Sequence, residues 1–265
     1  MATGFGAAVG ISLKAQVELS VDEGSGIVFS NGSGNKLVLK IIKDLIPNIP
    51  RKNLLTVKIT SDIPQGYGLK SSSAVSNALA LACTGLMEKN ISEQTILDTA
   101  INASIYSKTT ITAGYADSTA CYYGGFVVTN NYERKLLRQE KTQGDLFVII
   151  FLPSDPRRGN ISELKLLSNL YYEAYKLASV GQYWNAMTLN GMITSSILSN
   201  NYIPVKHCLS NGAIAAGMSG NGPAITAVCD AKHVRNIEKA LSEFEGNTLV
   251  ASLSNTKATL VKKND

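Results

Sequence analysis

The fold of this chain is decided by one stretch, Ile63-Pro64-Gln65-Gly66-Tyr67-Gly68-Leu69-Lys70-Ser71-Ser72-Ser73-Ala74. It follows an alternating apolar run at 54–60 that predicts a strand, and it precedes residues 75–88, which predict a helix. The three serines therefore lie in the first turn of a helix, where unpaired N–H groups and the helix dipole favour an anion. Because glycines let the backbone approach a ligand closely, the stretch predicts a phosphate site.

Two common nucleotide-binding patterns do not fit this stretch. The Walker pattern would need glycine at the position of Leu69, and the dinucleotide pattern would need its third glycine at Ser71. On the pattern alone, a glycine turn followed by a serine-capped helix is an equal alternative to a phosphate site.

The full string nevertheless resembles the phosphate-binding motif of the GHMP kinases, which include galactokinase, homoserine kinase and mevalonate kinase. The positions that carry the resemblance are Pro64, Gly68, Leu69, Ser71, Ser72, Ser73 and Ala74. With Lys70 and a triple serine, the string looks like the archaeal shikimate kinase branch of that family. The resemblance implies that ATP and Mg²⁺ are cofactors and that Ser72 is a metal ligand. It also implies these ATP-binding residues: Pro64, Gln65, Gly66, Tyr67, Gly68, Leu69, Lys70, Ser71, Ser72, Ser73 and Ala74.

Composition limits the class of protein. The 265 residues are 45% hydrophobic and 17% charged, which is typical of a globular chain that buries a substantial core. The net charge of +5 suits an anionic substrate and equally suits nucleic acid. The four cysteines are widely spaced with no C-x-x-C pair, which favours reduced thiols and a cytoplasmic location. With no signal peptide and no long apolar run, we expect no membrane partner.

Asp117 is the candidate catalytic residue. An aspartate that follows a glycine is most often a helix cap. Asp117, however, stands seven residues before Gly124-Gly125, the spacing found in mevalonate kinase-like GHMP enzymes, and the run that follows resembles archaeal shikimate kinases. The resemblance implies that Asp117 is the general base, which orients the acceptor hydroxyl and takes its proton.

The second metal candidate departs from the family pattern. Such kinases often carry a magnesium-binding glutamate on the preceding helix, in a Glu-Ala-Ser segment of the archaeal branch, whereas this chain has Asn102-Ala103-Ser104. An amide oxygen can ligate Mg²⁺, so Asn102 is a candidate ligand beside Ser72, with Asp98 as a substitute. An ordinary surface position is an equal interpretation of Asn102.

Residues 2–13 resemble the segment that leads into the second strand of archaeal shikimate kinases. A first strand normally precedes that segment in the family, so we expect either a shorter protein or a start that is annotated late. We predict that the glycine-rich residues 2–10, with Thr3 and Gly4 as substrate contacts, form an active-site loop. The alternative is a flexible tail. The alternating residues 11–21 predict a strand.

Two later stretches supply further substrate-binding candidates. Arg157 and Arg158 follow a predicted buried strand at 146–152, and either guanidinium could hold a carboxylate through two hydrogen bonds. A solvated basic loop is the competing interpretation. The glycine-rich residues 216–228 resemble the third GHMP motif, which implies that Gly220 lies near the phosphate site, whereas a tight turn is the simpler interpretation.

The resemblance implies an α+β fold class, the GHMP kinase fold. Residues 1–144 are predicted to form an N-terminal, nucleotide-binding β/α half with a ribosomal-protein-like topology. Residues 145–265 are predicted to form a ferredoxin-like C-terminal half, closed by strands at 248–253 and 258–261.

The resemblance implies phosphorylation of the 3-hydroxyl of shikimate, with homoserine kinase or another GHMP small-molecule kinase as the alternative and a monomer or homodimer as the assembly. An inactive relative is a further alternative, prompted by the short N-terminus and by Asn102. An RNA-binding module would suit the basic charge, but aromatic residues are only 7% and no basic-aromatic face is evident. We therefore expect a small-molecule substrate and no nucleic-acid partner.

Overall fold

The structure is a computed structural model that describes residues 3–31, 34–87, 90–109, 114–157, 159–198 and 202–262. Its strands are β1 Phe5–Val9, β2 Ala15–Asp22, β3 Gly26–Phe29, β4 Leu54–Ser61, β5 Phe126–Asn130, β6 Lys135–Glu140, β7 Leu146–Pro153, β8 Ala215–Met218, β9 Ile225–Asp230 and β10 Gly246–Ser252. Its α-helices are α1 Lys36–Leu45, α2 Ile49–Lys52, α3 Ser71–Thr84, α4 Glu93–Tyr106, α5 Tyr115–Tyr123, α6 Ser168–Ser179, α7 Tyr183–Ile197, α8 Ile203–Ser210 and α9 Val234–Leu241. No helix among these residues is long and apolar enough to cross a membrane.

The first sheet carries the phosphate loop. Its order is β2-β4-β3, with β4 antiparallel to β2 and parallel to β3. Helix α3 packs against β2 and β4, and α1 and α4 pack beside α3, around a shared core that includes Leu55, Val57, Ile41 and Leu79. Because β4 is fixed in the middle of this sheet, the loop that follows it delivers the start of α3 to a defined place.

The expectation of a loop over residues 2–10 is wrong for Phe5–Val9. These residues form β1, which pairs antiparallel with β5 in a second sheet of order β1-β5-β6. Small residues favour a loop when they are considered alone, but here they let a strand lie close to α5: a Cβ on Gly6 would fall 2.7 Å from the Cβ of Ala116. The strand predicted at 11–21 correspondingly starts only at Ala15.

The third sheet has the order β10-β7-β9-β8 and is antiparallel throughout. With α6 to α8 between β7 and β8, and α9 between β9 and β10, this is the ferredoxin-like arrangement, and the α+β prediction is confirmed. The division into domains at residue 144 stays a prediction.

The strand predicted at 258–261 is wrong. These residues form no strand, and the segment instead crosses to the first half, where the Ala258 N–H donates to the Tyr122 carbonyl at 2.7 Å. Ala258 also packs against the first core. The end of the chain therefore joins the two halves instead of closing a sheet.

Candidate functional site

The start of α3 has the geometry of an anion site. Helix α3 begins at Ser71, and its cap residue Lys70 adopts a left-handed conformation (φ 63°) without a side-chain cap bond. Ser71 is buried, and Ser72 and Ser73 are half-buried. The N–H groups of a first turn that no side chain caps can bind an anion, with the serine hydroxyls beside them.

The third glycine loop packs directly on the first. The Ser219 hydroxyl donates to the Gly68 carbonyl at 3.2 Å, and the Ala224 N–H donates to the Tyr67 carbonyl at 3.1 Å. Gly68 has a φ of +85°, and a Cβ on it would fall 2.3 Å from the Ser219 carbonyl oxygen. Only glycine satisfies both constraints, so two segments about 150 residues apart make one double loop.

This double loop places Lys70 against Asp117. A Cβ on Gly220 would lie 3.0 Å from Cε of Lys70, so this loop bounds the space beside the lysine side chain. The Lys70 Nζ lies 2.8 Å from Oδ2 of Asp117, and the side chains are 34% and 22% exposed. Asp117 is the third residue of α5, and the cap position is taken by Gly114. A carboxylate, a cation and an uncapped helix start therefore lie together.

A cavity of about 890 Å³ opens beside this pair, between the two halves. Its size suits a nucleotide together with a small acceptor. The sequence-predicted residues that line it are Thr3, Leu69, Lys70, Ala74, Asp117 and Gly220. The remaining predicted ATP-binding residues belong to the same loop and first turn but are not in the cavity wall.

One wall of the cavity was not predicted from the sequence. Helix α6 contributes Tyr171 and Tyr175, and α7 contributes Thr194. The Tyr171 hydroxyl lies 3.1 Å from the Thr194 hydroxyl, and the Tyr175 ring stacks on Phe5 with 4.2 Å between the ring centres. Burial raises the pKa of Tyr171, so its hydroxyl stays protonated at neutral pH. The only signal in the sequence is a pair of tyrosines four residues apart, on one face of a helix.

Cys121 also lines the cavity, one turn after Asp117. Burial raises the pKa of its thiol to about 12, the charge of Asp117 acts in the same direction and Lys70 opposes it. The thiol is therefore protonated at neutral pH and is a poor nucleophile. This leaves Asp117 as the carboxylate side chain beside the double loop, paired with Lys70.

Among the described residues, the structure does not bring Arg157 or Asn102 into the wall of this cavity. Arg157 is 89% exposed and pairs with Asp155, two residues away, and Arg158 lies outside the described residues. Asn102 accepts a hydrogen bond of 2.8 Å from Arg134, which also holds Asp98 at 3.0 Å.

Gly4 and the metal candidates complete the predicted set. Gly4 has a φ of +76° and packs against the ring of Tyr132 instead of lining the cavity. Among the described residues, no group of three or more His, Cys, Asp or Glu side chains could hold a metal ion. A Mg²⁺ ion held mainly by substrate phosphates does not need such a group.

Comparison with known proteins gives the same family for both halves. The model of the GHMP kinases N terminal domain matches residues 36–125, and that of the GHMP kinases C terminal matches residues 194–247. A shikimate kinase from Methanobrevibacter smithii is 33% identical over 96% of this chain and 92% of its own length. One from Pyrococcus abyssi is 33% identical over 95% of this chain and 93% of its own length.

Solved structures share the fold at lower identity. A homoserine kinase from Cytophaga hutchinsonii superposes with a TM-score of 0.70 at 18% identity, covering 93% of this chain and 89% of its own. An L. major mevalonate kinase in complex with R-mevalonate gives 0.74 at 17% identity, covering 96% and 90%. Family models, full-length relatives and fold agree, and the chain therefore belongs to the GHMP kinases, in the same family as these archaeal shikimate kinases.

Proposed function

We propose that this protein transfers the γ-phosphoryl group of ATP to the 3-hydroxyl of shikimate. The observation that carries the proposal is the Lys70–Asp117 pair, 2.8 Å apart in the cavity wall and next to the uncapped start of α3. The similarity to relatives named shikimate kinase over nearly the whole chain supports this acceptor.

The residues divide the work of phosphoryl transfer. Asp117 takes the proton of the acceptor hydroxyl. At the same time the hydroxyl oxygen forms a bond to the γ-phosphorus, and the bond from the γ-phosphorus to the leaving ADP oxygen breaks. Lys70 offsets the negative charge near the transferred group and holds the Asp117 carboxylate in place. The first turn of α3 and the loop around Gly66 and Gly68 hold the phosphates.

A magnesium ion fits this arrangement with few protein ligands. Mg²⁺ keeps octahedral oxygen coordination and is commonly bound through substrate phosphates with one or two protein oxygens. The half-buried Ser72 hydroxyl in the first turn of α3 would hold it beside the phosphates, where the ion would neutralise their charge. Asn102 and Asp98 are held by Arg134, so we assign them no metal.

The acceptor is expected beside α6 and α7. Lys70 lies on the phosphate side of the cavity, and the hydroxyls of Tyr171 and Thr194 line it on the α6–α7 side. Hydroxyl groups of this kind suit a ring that carries several hydroxyls, because each can donate and accept. Substrate binding by Arg158, a cytoplasmic location, and a monomer or homodimer stay predictions.

A coupled ADP-release assay with Mg-ATP tests the function. Shikimate, homoserine and mevalonate are compared as acceptors, with the Asp117→Asn protein as the blank for contaminating kinases. Turnover confined to shikimate, and lost in the variant, is the expected result. Turnover with homoserine or mevalonate alone, or no turnover by protein with a cooperative melting transition, would overturn the proposal.

A further inference from the structure

Asp117 lies in a helix turn that has no cap of its own. Gly114 takes the cap position in a left-handed conformation (φ 52°) and offers no side chain. The first bond within the turn is the one from the Ser118 N–H to the Gly114 carbonyl, at 3.0 Å. A first turn of this kind needs acceptors from elsewhere to fix its orientation.

Asn131 supplies such an acceptor from the hairpin that follows β5. Its Oδ1 accepts a bond of 3.0 Å from the N–H of Ala116, the residue before Asp117. The same oxygen accepts a bond of 2.9 Å from the Thr129 hydroxyl, and the Asn131 backbone N–H donates to the Gly4 carbonyl at 2.8 Å. Asn131 is 7% exposed, so water does not replace these bonds easily.

Asn77 holds the residue on the other side of Asp117. Its Nδ2 donates to the Ser118 carbonyl and its Oδ1 accepts from the Ser118 hydroxyl, both at 2.7 Å. Asn77 is 2% exposed and belongs to α3, the helix whose first turn carries Ser72. The aspartate helix is thereby tied to the helix that would hold the phosphates.

Small residues make room for this arrangement. A Cβ on Gly6 would fall 2.9 Å from the Asn131 Nδ2 and 2.7 Å from the Ala116 Cβ. Strand β1 can therefore pass Asn131 and the aspartate helix only with glycine at this position. Two buried amides and one close backbone contact fix the residues immediately before and after Asp117.

We propose that Asn77 and Asn131 are positioning residues, which set the Asp117 carboxylate at its working distance from the start of α3. The inference rests on the proposed function, in which Asp117 is the general base. A misplacement of about 1 Å at such a group can lower turnover by about 100-fold. Asn77 lines the cavity and Asn131 does not, and neither amide needs to touch the substrate to have this effect.

Alanine variants test the proposal through the split between kcat and KM. We expect Asn131→Ala and Asn77→Ala to lower kcat by about 10- to 100-fold, while the KM for ATP changes by less than about threefold, because the phosphate loop is intact. Asn211→Ala is the matched control. It removes a hydrogen bond of 2.8 Å from the side-chain amide to the His207 carbonyl at the end of α8, outside the cavity wall. It should lower the melting temperature with kcat within twofold of wild type.

Two further variants keep the test decisive if an alanine variant folds poorly. Asn131→Asp retains the acceptor oxygen for the Ala116 N–H and should restore most of the turnover. Asn77→Ala combined with Ser118→Ala should cost little more than Asn77→Ala alone, because both changes remove the hydrogen bond from the Ser118 hydroxyl to Asn77 Oδ1, and only Asn77→Ala removes the bond to the Ser118 carbonyl.

The outcomes separate this proposal from the proposed function. Alanine variants that keep kcat within twofold, while Asp117→Asn is inactive, would overturn the positioning role and leave the function standing. An Asp117→Asn protein with wild-type turnover would instead remove Asp117 as the base and the reason for positioning it. A double variant whose losses are additive would count against the hydrogen bond between the Ser118 hydroxyl and Asn77.

Discussion

Asp117 and Arg157 are both charged residues that the sequence selects, and the structure gives them opposite surroundings. Asp117 is 22% exposed and pairs with Lys70 across two glycine loops. Arg157 is 89% exposed and pairs with Asp155, its near neighbour in the chain. A sequence motif that determines the backbone conformation also determines where a nearby side chain lies. A charged residue chosen only because the substrate needs a counter-charge carries no such information about its position.

The largest effect is expected for Asp117→Asn. The amide keeps the shape of the side chain but cannot take the acceptor proton, so kcat should fall by about 10³-fold. The KM for ATP should change little, because the phosphate loop is untouched. Steady-state kinetics with Mg-ATP and shikimate measures this, and turnover within threefold of wild type would remove Asp117 as the base.

Lys70→Met tests the other member of the pair. The change removes the positive charge that lies 2.8 Å from Asp117 and near the transferred phosphoryl group. Because neither negative group is then balanced by the lysine, kcat should fall by about 100-fold. Lys40→Met is the matched control, because it removes an exposed pair with Asp44 on α1. Equal losses in the two variants would show that the effect is one of general stability or charge.

The sequence predicted the backbone of the site better than its contacts. The position of the three serines in the first turn of α3 follows from a glycine loop that leads into a helix, whereas the left-handed conformation of Lys70 was not predicted. The contact between Lys70 and Asp117 depends on how α3, α5 and the third glycine loop pack together, which no local pattern encodes.

Strand β1 and the tyrosine wall of the cavity were missed because the same residue types also occur in other kinds of structure. Gly6 and its small neighbours are typical of loops, yet they form β1. The backbone makes the hydrogen bonds to β5, and the small side chains leave room for α5 to pack closely. Tyr171 and Tyr175 have the spacing of any core-facing helix, and only packing shows that they face a cavity. Charge alone likewise does not locate Arg157, which is exposed beside Asp155, and its substrate role stays a prediction.

Tyr171→Phe sharpens the comparison by testing the wall that the structure offers in place of Arg157. The change removes a hydroxyl that bonds to Thr194 at the cavity surface and leaves the ring in place. We expect the KM for shikimate to rise by about 10-fold, since a lost hydrogen bond to a substrate hydroxyl weakens binding. An unchanged KM for shikimate, or a rise confined to ATP, would place the acceptor elsewhere.

Arg157→Ala should have almost no effect. Its side chain lies in solvent and its partner is local, so kcat and the KM for shikimate should both stay within twofold of wild type. The same kinetic assay measures this, with Tyr171→Phe as the positive comparison. A rise of 10-fold or more in the KM for shikimate would show that the loop reaches the acceptor and would reverse the comparison drawn above.

Glu93→Gln should have a small effect on stability, and it tests whether separation along the chain or burial determines how much an ion pair contributes. Glu93 pairs with Lys257, 164 residues away, but the side chain of Glu93 is 44% exposed. The hydrogen bonds from Lys257 and Tyr123 lower the pKa of Glu93 against a smaller opposing effect of burial. Stability from this group is therefore present above the unfolded-state pKa and is lost as the pH falls through the lower, folded-state pKa.

Melting temperatures measured across pH test this expectation. At pH 7 the Glu93→Gln protein should melt about 1–2 °C below wild type, because exposed pairs contribute little. The difference should shrink below the ordinary glutamate range and disappear once the pH is below the lowered pKa of Glu93, where the glutamate is protonated in folded wild-type protein. A loss of 5 °C or more at pH 7 would show that this long-range pair stabilises the protein although it is exposed. Burial alone would then not explain why the Asp117 pair matters more than the Arg157 pair.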